Sequence, residues 1–101
     1  MSNTIQNQYI PDYVSPPGET LQEILEERGI TQTELAERIG SPKKIIHEII
    51  NGIAAITPEI ALQLELVLST PASFWHNRDR QYREFLARQE EQERLQKKVL
   101  V

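Results

Sequence analysis

The sequence predicts an all-α domain of five helices whose last helix is extended towards the C-terminus. Three observations support this fold class. Apolar residues recur at the spacing i, i+3, i+4; helix start and stop signals follow one another along the chain; and no stretch alternates apolar and polar residues with a period of two. The 101 residues are enough for one compact domain.

The first helix is expected from Pro17 to Arg28. Proline suits the first turn of a helix because its missing N–H would have no intrahelical acceptor there. Leu21, Ile24 and Leu25 form one apolar stripe, and Gly29 provides the usual C-terminal stop.

The second helix begins after Thr31, because Glu34 follows three residues later and completes a capping-box pattern. Gly40 ends this helix. Its inward-facing residues are expected to be Leu35, Ala36 and Ile39.

A third helix follows at once, with Ser41 as the expected N-cap and Pro42 as its first residue. Asn51 and Gly52 end it. Its buried side is expected to contain Ile46, Ile49 and Ile50.

Two further helices are expected to begin at Thr57-Pro58 and at Thr70-Pro71. The inward set of the fourth is Ile60, Ala61, Leu64, Val67 and Leu68. The fifth contains the aromatic residues Phe74, Trp75, Tyr82 and Phe85 and becomes strongly charged from Arg88 to Lys98. Phe74 and Trp75 are expected in the core, with a dimer contact as the alternative.

The chain is divided into an N-terminal arm (1–16), a central domain (17–88) and a charged C-terminal helix extension (89–101). The arm is either a disordered lead-in or a segment that packs through Tyr9, Ile10, Tyr13 and Val14. The extension is either a solvated helix supported by i, i+4 ion pairs or a protein-binding helix. The apolar end Val99-Leu100-Val101 either docks on a partner subunit or continues into a longer protein.

Composition excludes several classes of function. The chain has no cysteine, so it forms neither a disulfide framework nor a thiolate metal site. No apolar run approaches the roughly 18 residues of a membrane span, and Met1 to Tyr13 lacks the order of a signal peptide. A cytoplasmic protein without membrane contact is therefore expected.

The segment Gln32 to Asn51 carries the functional pattern, QTELAERIGSPKKIIHEIIN. Ala36 is small where two short helices must approach each other, and Gly40 lies where the chain reverses and a positive φ is expected. Two short helices packed in this way leave the outer face of the third helix free to enter a DNA major groove.

This pattern resembles the helix-turn-helix of the phage-repressor-like (XRE) regulators. Its flanks are similar to those of the HigA-type, or VapI-like, antitoxins. These flanks are Pro17 to Leu21, Asn51-Gly52 with Ile56-Thr57, Ala61 to Leu64, and Phe74-Trp75-His76-Asn77. The resemblance covers residues 16–88 and implies a five-helix phage-repressor-like helix-turn-helix domain.

The resemblance also implies a function. It implies a homodimeric antitoxin that binds double-stranded operator DNA, represses its own operon and neutralises a small basic RelE-like toxin. At the positions that match the DNA-facing residues of the family, the resemblance implies DNA binding by Gln32, Ser41, Lys43, Lys44, His47 and Asn51.

The charge balance departs from this expectation. The chain has a net charge of −4, and Glu19 to Gly52 contains seven acidic and four basic residues, a net charge of −3. Phosphate neutralisation supplies most non-specific DNA affinity, so a DNA-binding face must be a local patch. The competing hypothesis is a protein-interaction module with weak or no DNA binding, which binds a basic protein through its acidic surface.

An enzyme is not expected. His47-Glu48 begins like the zinc-protease motif H-E-x-x-H, but Asn51 stands where the second histidine is needed. His76 is expected to be a surface or interface polar group. No serine lies in a nucleophile elbow, and the four glycines form no phosphate loop. No cofactor or metal is expected.

Overall fold

The computed structural model describes residues 13–100, with side chains for residues 13–97, and contains five helices over that range. Their bounds are α1 Pro17–Arg28, α2 Gln32–Ile39, α3 Lys43–Ile50, α4 Pro58–Leu68 and α5 Ala72–Leu100. Residues 13–100 include no strand, so the predicted all-α fold with a long last helix is confirmed.

Two helix starts form as the local sequence predicts. The Thr31 Oγ1 accepts a hydrogen bond from the Glu34 N–H at 3.0 Å, and the Glu34 Oε1 accepts one from the Thr31 N–H at 2.8 Å. This is the reciprocal capping box. At α4, the Thr57 Oγ1 accepts from the Ile60 N–H at 3.2 Å.

Two other helix starts differ from the prediction by one residue. Pro42, not Ser41, is the N-cap of α3, because its ψ of 144° is extended and its carbonyl accepts from the Ile45 N–H at 3.0 Å. Likewise α5 begins at Ala72 and not at Pro71. The Ala72 N–H donates to the Glu65 Oε1 at 2.7 Å, so a carboxylate from α4 caps α5.

The core contains the apolar stripes of all five helices. Its buried residues are Leu21, Leu25, Leu35, Ala36, Ile46, Ile49, Ile56, Ala61, Leu64, Leu68 and Trp75. The expected core residues Ile24, Ile39, Ile50, Ile60 and Val67 are half-buried and pack against this cluster. Trp75 is fully buried, as predicted, and the half-buried Phe74 ring meets it edge to face at 5.1 Å.

α3 lies between α1 and α2, and the approach of α1 depends on Gly18. Gly18 is buried at the start of α1. A Cβ at this position would overlap the Ile49 carbonyl oxygen and the Ile50 Cα at the end of α3. The two backbones are therefore in direct contact, and any residue larger than glycine would separate them.

Arg78 joins α5 to the chain just before α1. Its guanidinium donates four hydrogen bonds, to the Ser15 carbonyl and Oγ, the Pro16 carbonyl and the Thr20 Oγ1, at 3.0–3.2 Å. Hydrogen bonds from a charged donor are among the stronger ones in proteins. Arg78 therefore fixes the entry into α1 and, through it, the position of Gly18.

The described part of the predicted N-terminal arm packs against α5. The Tyr13 ring meets the Phe85 ring edge to face at 5.9 Å, and Ser15 accepts from Arg78. Tyr9 and Ile10 lie outside the described residues, as do the side chains of Val99 and Leu100 and the whole of Val101. Side chains 87–97 of α5 are all exposed, and the boundary at residue 88 stays a prediction.

We expect Gly18→Ala to lower the free energy of unfolding by about 3 kcal/mol, because the new methyl group overlaps backbone atoms that cannot move independently. The control is Gly29→Ala, where φ is +69° and the added Cβ meets open space. There only the conformational cost of about 1 kcal/mol applies. Urea unfolding measures both; a Gly18→Ala protein as stable as Gly29→Ala would contradict the close packing.

We expect Arg78→Lys to lower the free energy of unfolding by about 2 kcal/mol, because an ammonium group cannot reach the four acceptors that the planar guanidinium spans. Arg80→Lys is the matched control. The Arg80 side chain is 62% exposed and forms only a surface ion pair with Glu84, so its replacement should cost less than about 0.5 kcal/mol. Equal losses of stability in the two variants would show that the Arg78 hydrogen bonds contribute little to the free energy of unfolding.

Candidate nucleic-acid interface

α2, a tight turn and α3 form the two-helix unit that the sequence predicts. Gly40 has a φ of +70°, and the next N–H, of Ser41, donates to the Ala36 carbonyl at 3.0 Å, which closes the end of α2. A Cβ at Gly40 would meet no atom within 4 Å, so glycine is needed there for its conformation and not for space. Ala36 is buried, and α2 and α3 pack against each other.

α3 has one buried and one exposed side. Ile46 and Ile49 are buried in the core. The exposed side chains of α3 and its C-cap are four of the six predicted DNA-binding residues: Lys43, Lys44, His47 and Asn51. Lys43, His47 and Asn51 follow one another at i, i+4, so they line one stripe of the helix surface. The structure therefore brings these four together on an accessible face.

Asn51 also stabilises the end of α3. Its Nδ2 donates to the His47 carbonyl at 2.9 Å and lies 3.1 Å from the His47 Nε2. If Nδ2 donates to this nitrogen as well, the neutral imidazole carries its proton on Nδ1. A phosphate contact by the Asn51 amide would compete with these two interactions, which the sequence alone did not reveal.

Gln32 and Ser41 lie beside α3 and are less accessible than the other four. Both are half-buried, Gln32 at the first residue of α2 and Ser41 in the turn. The Gln32 Nε2 donates to the Gln22 Oε1 at 3.4 Å. DNA contact by any of the six residues stays a prediction.

The electrostatics of the two-helix unit are locally mixed. The exposed Lys43 and Lys44 begin α3, while Glu48 is half-buried. No side-chain hydrogen bond caps the start of α3 within the described chain. At the start of α2, the hydrogen bond that the Thr31 N–H donates to the Glu34 carboxylate, together with the nearby Thr31 hydroxyl, holds the pKa of that carboxyl below its ordinary value of 4.5. That carboxylate stays ionised and occupies the N-terminus of α2.

Sequence reasoning missed the two residues that hold this unit in place, Gly18 and Arg78. Gly18 was assigned only to a family-like flank, and no contact was predicted for Arg78. Their partners lie far away in the chain: Arg78 and Thr20 are 58 residues apart. No periodicity or spacing signal identifies such contacts.

Two other kinds of site do not occur among the residues described. Among them, no group of three or more His, Cys, Asp or Glu side chains is placed to hold a metal ion. None of the helices in the described range combines the length and apolar character needed to cross a membrane.

Comparison with known families and proteins identifies the same unit. The Helix-turn-helix family matches residues 21–75, which is more than half of the chain. Virulence-associated protein A from Dichelobacter nodosus is 42% identical over 52 residues, which are 50% of this chain and 51% of that protein. The chain therefore aligns with about half the length of this relative.

Solved structures extend the similarity to most of the chain. A protein of Nostoc punctiforme, assigned as the antidote protein of a plasmid maintenance system, has a TM-score of 0.79 and 30% identity, covering 86% of this chain and 94% of its own. The Pseudomonas aeruginosa antitoxin HigA, solved with the higBA promoter, has a TM-score of 0.76 and 25% identity, covering 82% and 91%. From the match over residues 21–75 and the shared five-helix fold, the chain belongs to the helix-turn-helix family.

Proposed function

We propose that this protein is a sequence-specific DNA-binding transcriptional regulator that reads DNA with the exposed face of α3. The proposal rests on this face. Ile46 and Ile49 fix the inner side of α3 in the core. Its outer side presents Lys43, Lys44 and His47 to solvent. A helix presented in this way fits the width of a DNA major groove.

The roles of the residues follow from their chemistry. Lys43 and Lys44 reach phosphate oxygens or guanine edges from the start of α3, and the uncapped backbone N–H groups of that first turn favour a phosphate nearby. His47, one turn further, faces the same groove. Gln32, Ser41 and Asn51 donate to the phosphates on either side.

The proposed regulator acts as a homodimer on an operator. Two copies related by two-fold symmetry place their α3 helices in successive major grooves about 34 Å apart. The operator would then contain two related half-sites. Such a protein works in the cytoplasm, where its DNA is, and its function is binding without a catalytic step.

We further propose that the protein is the antitoxin of a type II toxin–antitoxin pair. The likeness to an antidote protein and to HigA with its promoter supports this role. The partner would be a small basic RelE-like toxin, since the chain has a net charge of −4 and could neutralise such a protein by direct contact. Autorepression of the shared operon follows from the DNA binding proposed above.

The α3 face is tested by the double variant Lys43→Ala/Lys44→Ala in a mobility-shift assay with the DNA upstream of its own gene. We expect about a 30-fold loss of affinity and a salt dependence shallower by about two charges per protomer, because two phosphate or base contacts are lost. The matched control Arg94→Ala/Lys97→Ala removes the same charge from the exposed end of α5 and should leave affinity nearly unchanged.

Two outcomes would decide against this function. Binding that survives Lys43→Ala/Lys44→Ala without salt dependence would rule out the proposed docking of α3. A wild-type protein that binds no upstream DNA, yet co-purifies with the basic product of the neighbouring gene, would favour the alternative of a protein-interaction module on a helix-turn-helix scaffold.

A further inference from the structure

The contact between His47 and Asn51 defines the hydrogen-bonding character of the imidazole on the exposed face of α3. The Asn51 Nδ2 lies 2.9 Å from the His47 carbonyl oxygen and 3.1 Å from the His47 Nε2. A carbonyl oxygen only accepts hydrogen bonds, so the amide nitrogen of Asn51, and not its amide oxygen, must lie at this point. The backbone of α3 therefore fixes the orientation of the Asn51 amide.

The orientation of the amide decides which imidazole nitrogen carries the proton. An amide NH2 group has two hydrogens and no acceptor, so it donates one hydrogen to the carbonyl and the other to the His47 Nε2. Nε2 must then be the unprotonated nitrogen, and the proton of the neutral ring lies on Nδ1. A proton on Nε2 would place two donors opposite each other. Asn51 thereby favours one of the two neutral tautomers of His47.

The Nδ1–H that results is a donor available to a ligand. His47 is exposed, and among residues 13–97 its ring forms a hydrogen bond with Asn51 alone. The other two exposed side chains of α3 are those of Lys43 and Lys44, whose ammonium groups sit on flexible stems and donate in three directions. An imidazole has one N–H in the plane of a rigid ring. His47 is thus the exposed residue of α3 whose donor has a defined direction.

We infer that His47 reads a guanine in the major groove through its Nδ1–H, and that Asn51 is the positioning residue that keeps this donor in place. This base contact rests on the proposed function, because it belongs to the same face of α3. Guanine presents two acceptors in the groove, N7 and O6, whereas adenine presents one acceptor and one donor, and cytosine presents an amino donor. A group that only donates therefore favours guanine and disfavours cytosine.

This role of Asn51 and a phosphate contact exclude each other. Both amide hydrogens of Asn51 are engaged by His47, and its remaining Oδ1 only accepts. The two roles also differ in what their loss would change. Loss of a phosphate contact weakens binding to every sequence alike, whereas loss of the donor tautomer weakens the preference for one base.

Nitrogen-15 NMR of the histidine rings tests the tautomer in the full chain without DNA, at about pH 8.5, above the range in which histidines usually titrate. We expect the His47 Nε2 to resonate as an unprotonated nitrogen and Nδ1 as a protonated one. In Asn51→Ala the Nε2 shift should move towards the protonated value, because no donor then opposes a proton there. The chain has two histidines, and the signals of His76 should stay unchanged as the internal reference.

Selection from a randomised DNA duplex library at the same pH tests the base contact. The wild-type protein should prefer guanine over cytosine by roughly tenfold at one position of each half-site. His47→Ala should lose this preference, and Asn51→Ala should reduce it to about threefold while keeping the preferences at other positions. Asn77→Ala, which removes an exposed asparagine from α5, should select the same sequences as the wild type. Circular dichroism confirms that each variant is folded.

Three results would overturn this contact alone and leave DNA binding by α3 intact. They are a proton on Nε2 in the wild-type chain, a guanine preference that survives His47→Ala, and a uniform loss of affinity in Asn51→Ala with the guanine preference unchanged, which would assign Asn51 to a phosphate. In each case Lys43→Ala/Lys44→Ala still weakens binding. A wild-type protein that selects no sequence refutes the base contact and the proposed function together, and the NMR measurement still reports the tautomer by itself.

Discussion

The position of α3 depends on a backbone contact that only glycine at position 18 permits. Because Gly18 has no side chain, the start of α1 touches the carbonyl of Ile49 and the Cα of Ile50 at the end of α3. On its other side α3 packs against α2, where Ala36 is buried. A helix held between two neighbours in this way keeps its remaining side in solvent, and that side carries the lysines.

The contact is connected to a part of the chain that lies far from α3. Arg78 on α5 donates to Ser15, Pro16 and Thr20 and so fixes the segment in which Gly18 lies. α5 is in turn anchored by the fully buried Trp75. The aromatic start of α5 is thus connected to α3 through the segment from Ser15 to Thr20. A helix fixed in this way would lose little conformational entropy in the DNA binding proposed for α3.

Local features of this fold could be predicted from the sequence, and features that depend on distant partners could not. Thr31 and Glu34 form reciprocal hydrogen bonds within a stretch of four residues, so their pattern identified the start of α2. The predicted start of α5 was wrong by one residue, because the group that caps this helix is the Glu65 carboxylate on the preceding helix. Similarly, the family resemblance indicated Lys43, Lys44, His47 and Asn51, which are exposed on α3 and its C-cap. The hydrogen bond of Asn51 to His47 and the role of Arg78 required coordinates.

Backbone amide chemical shifts, followed while a duplex of the upstream DNA is added, will show whether the exposed face of α3 is the surface that meets DNA. If α3 docks as proposed, the largest shifts fall on residues 40–52 and on the start of α2, while the exposed residues 87–97 of α5 hardly change. Shifts concentrated on α5, or an unchanged α3 at saturating DNA, would rule out this docking.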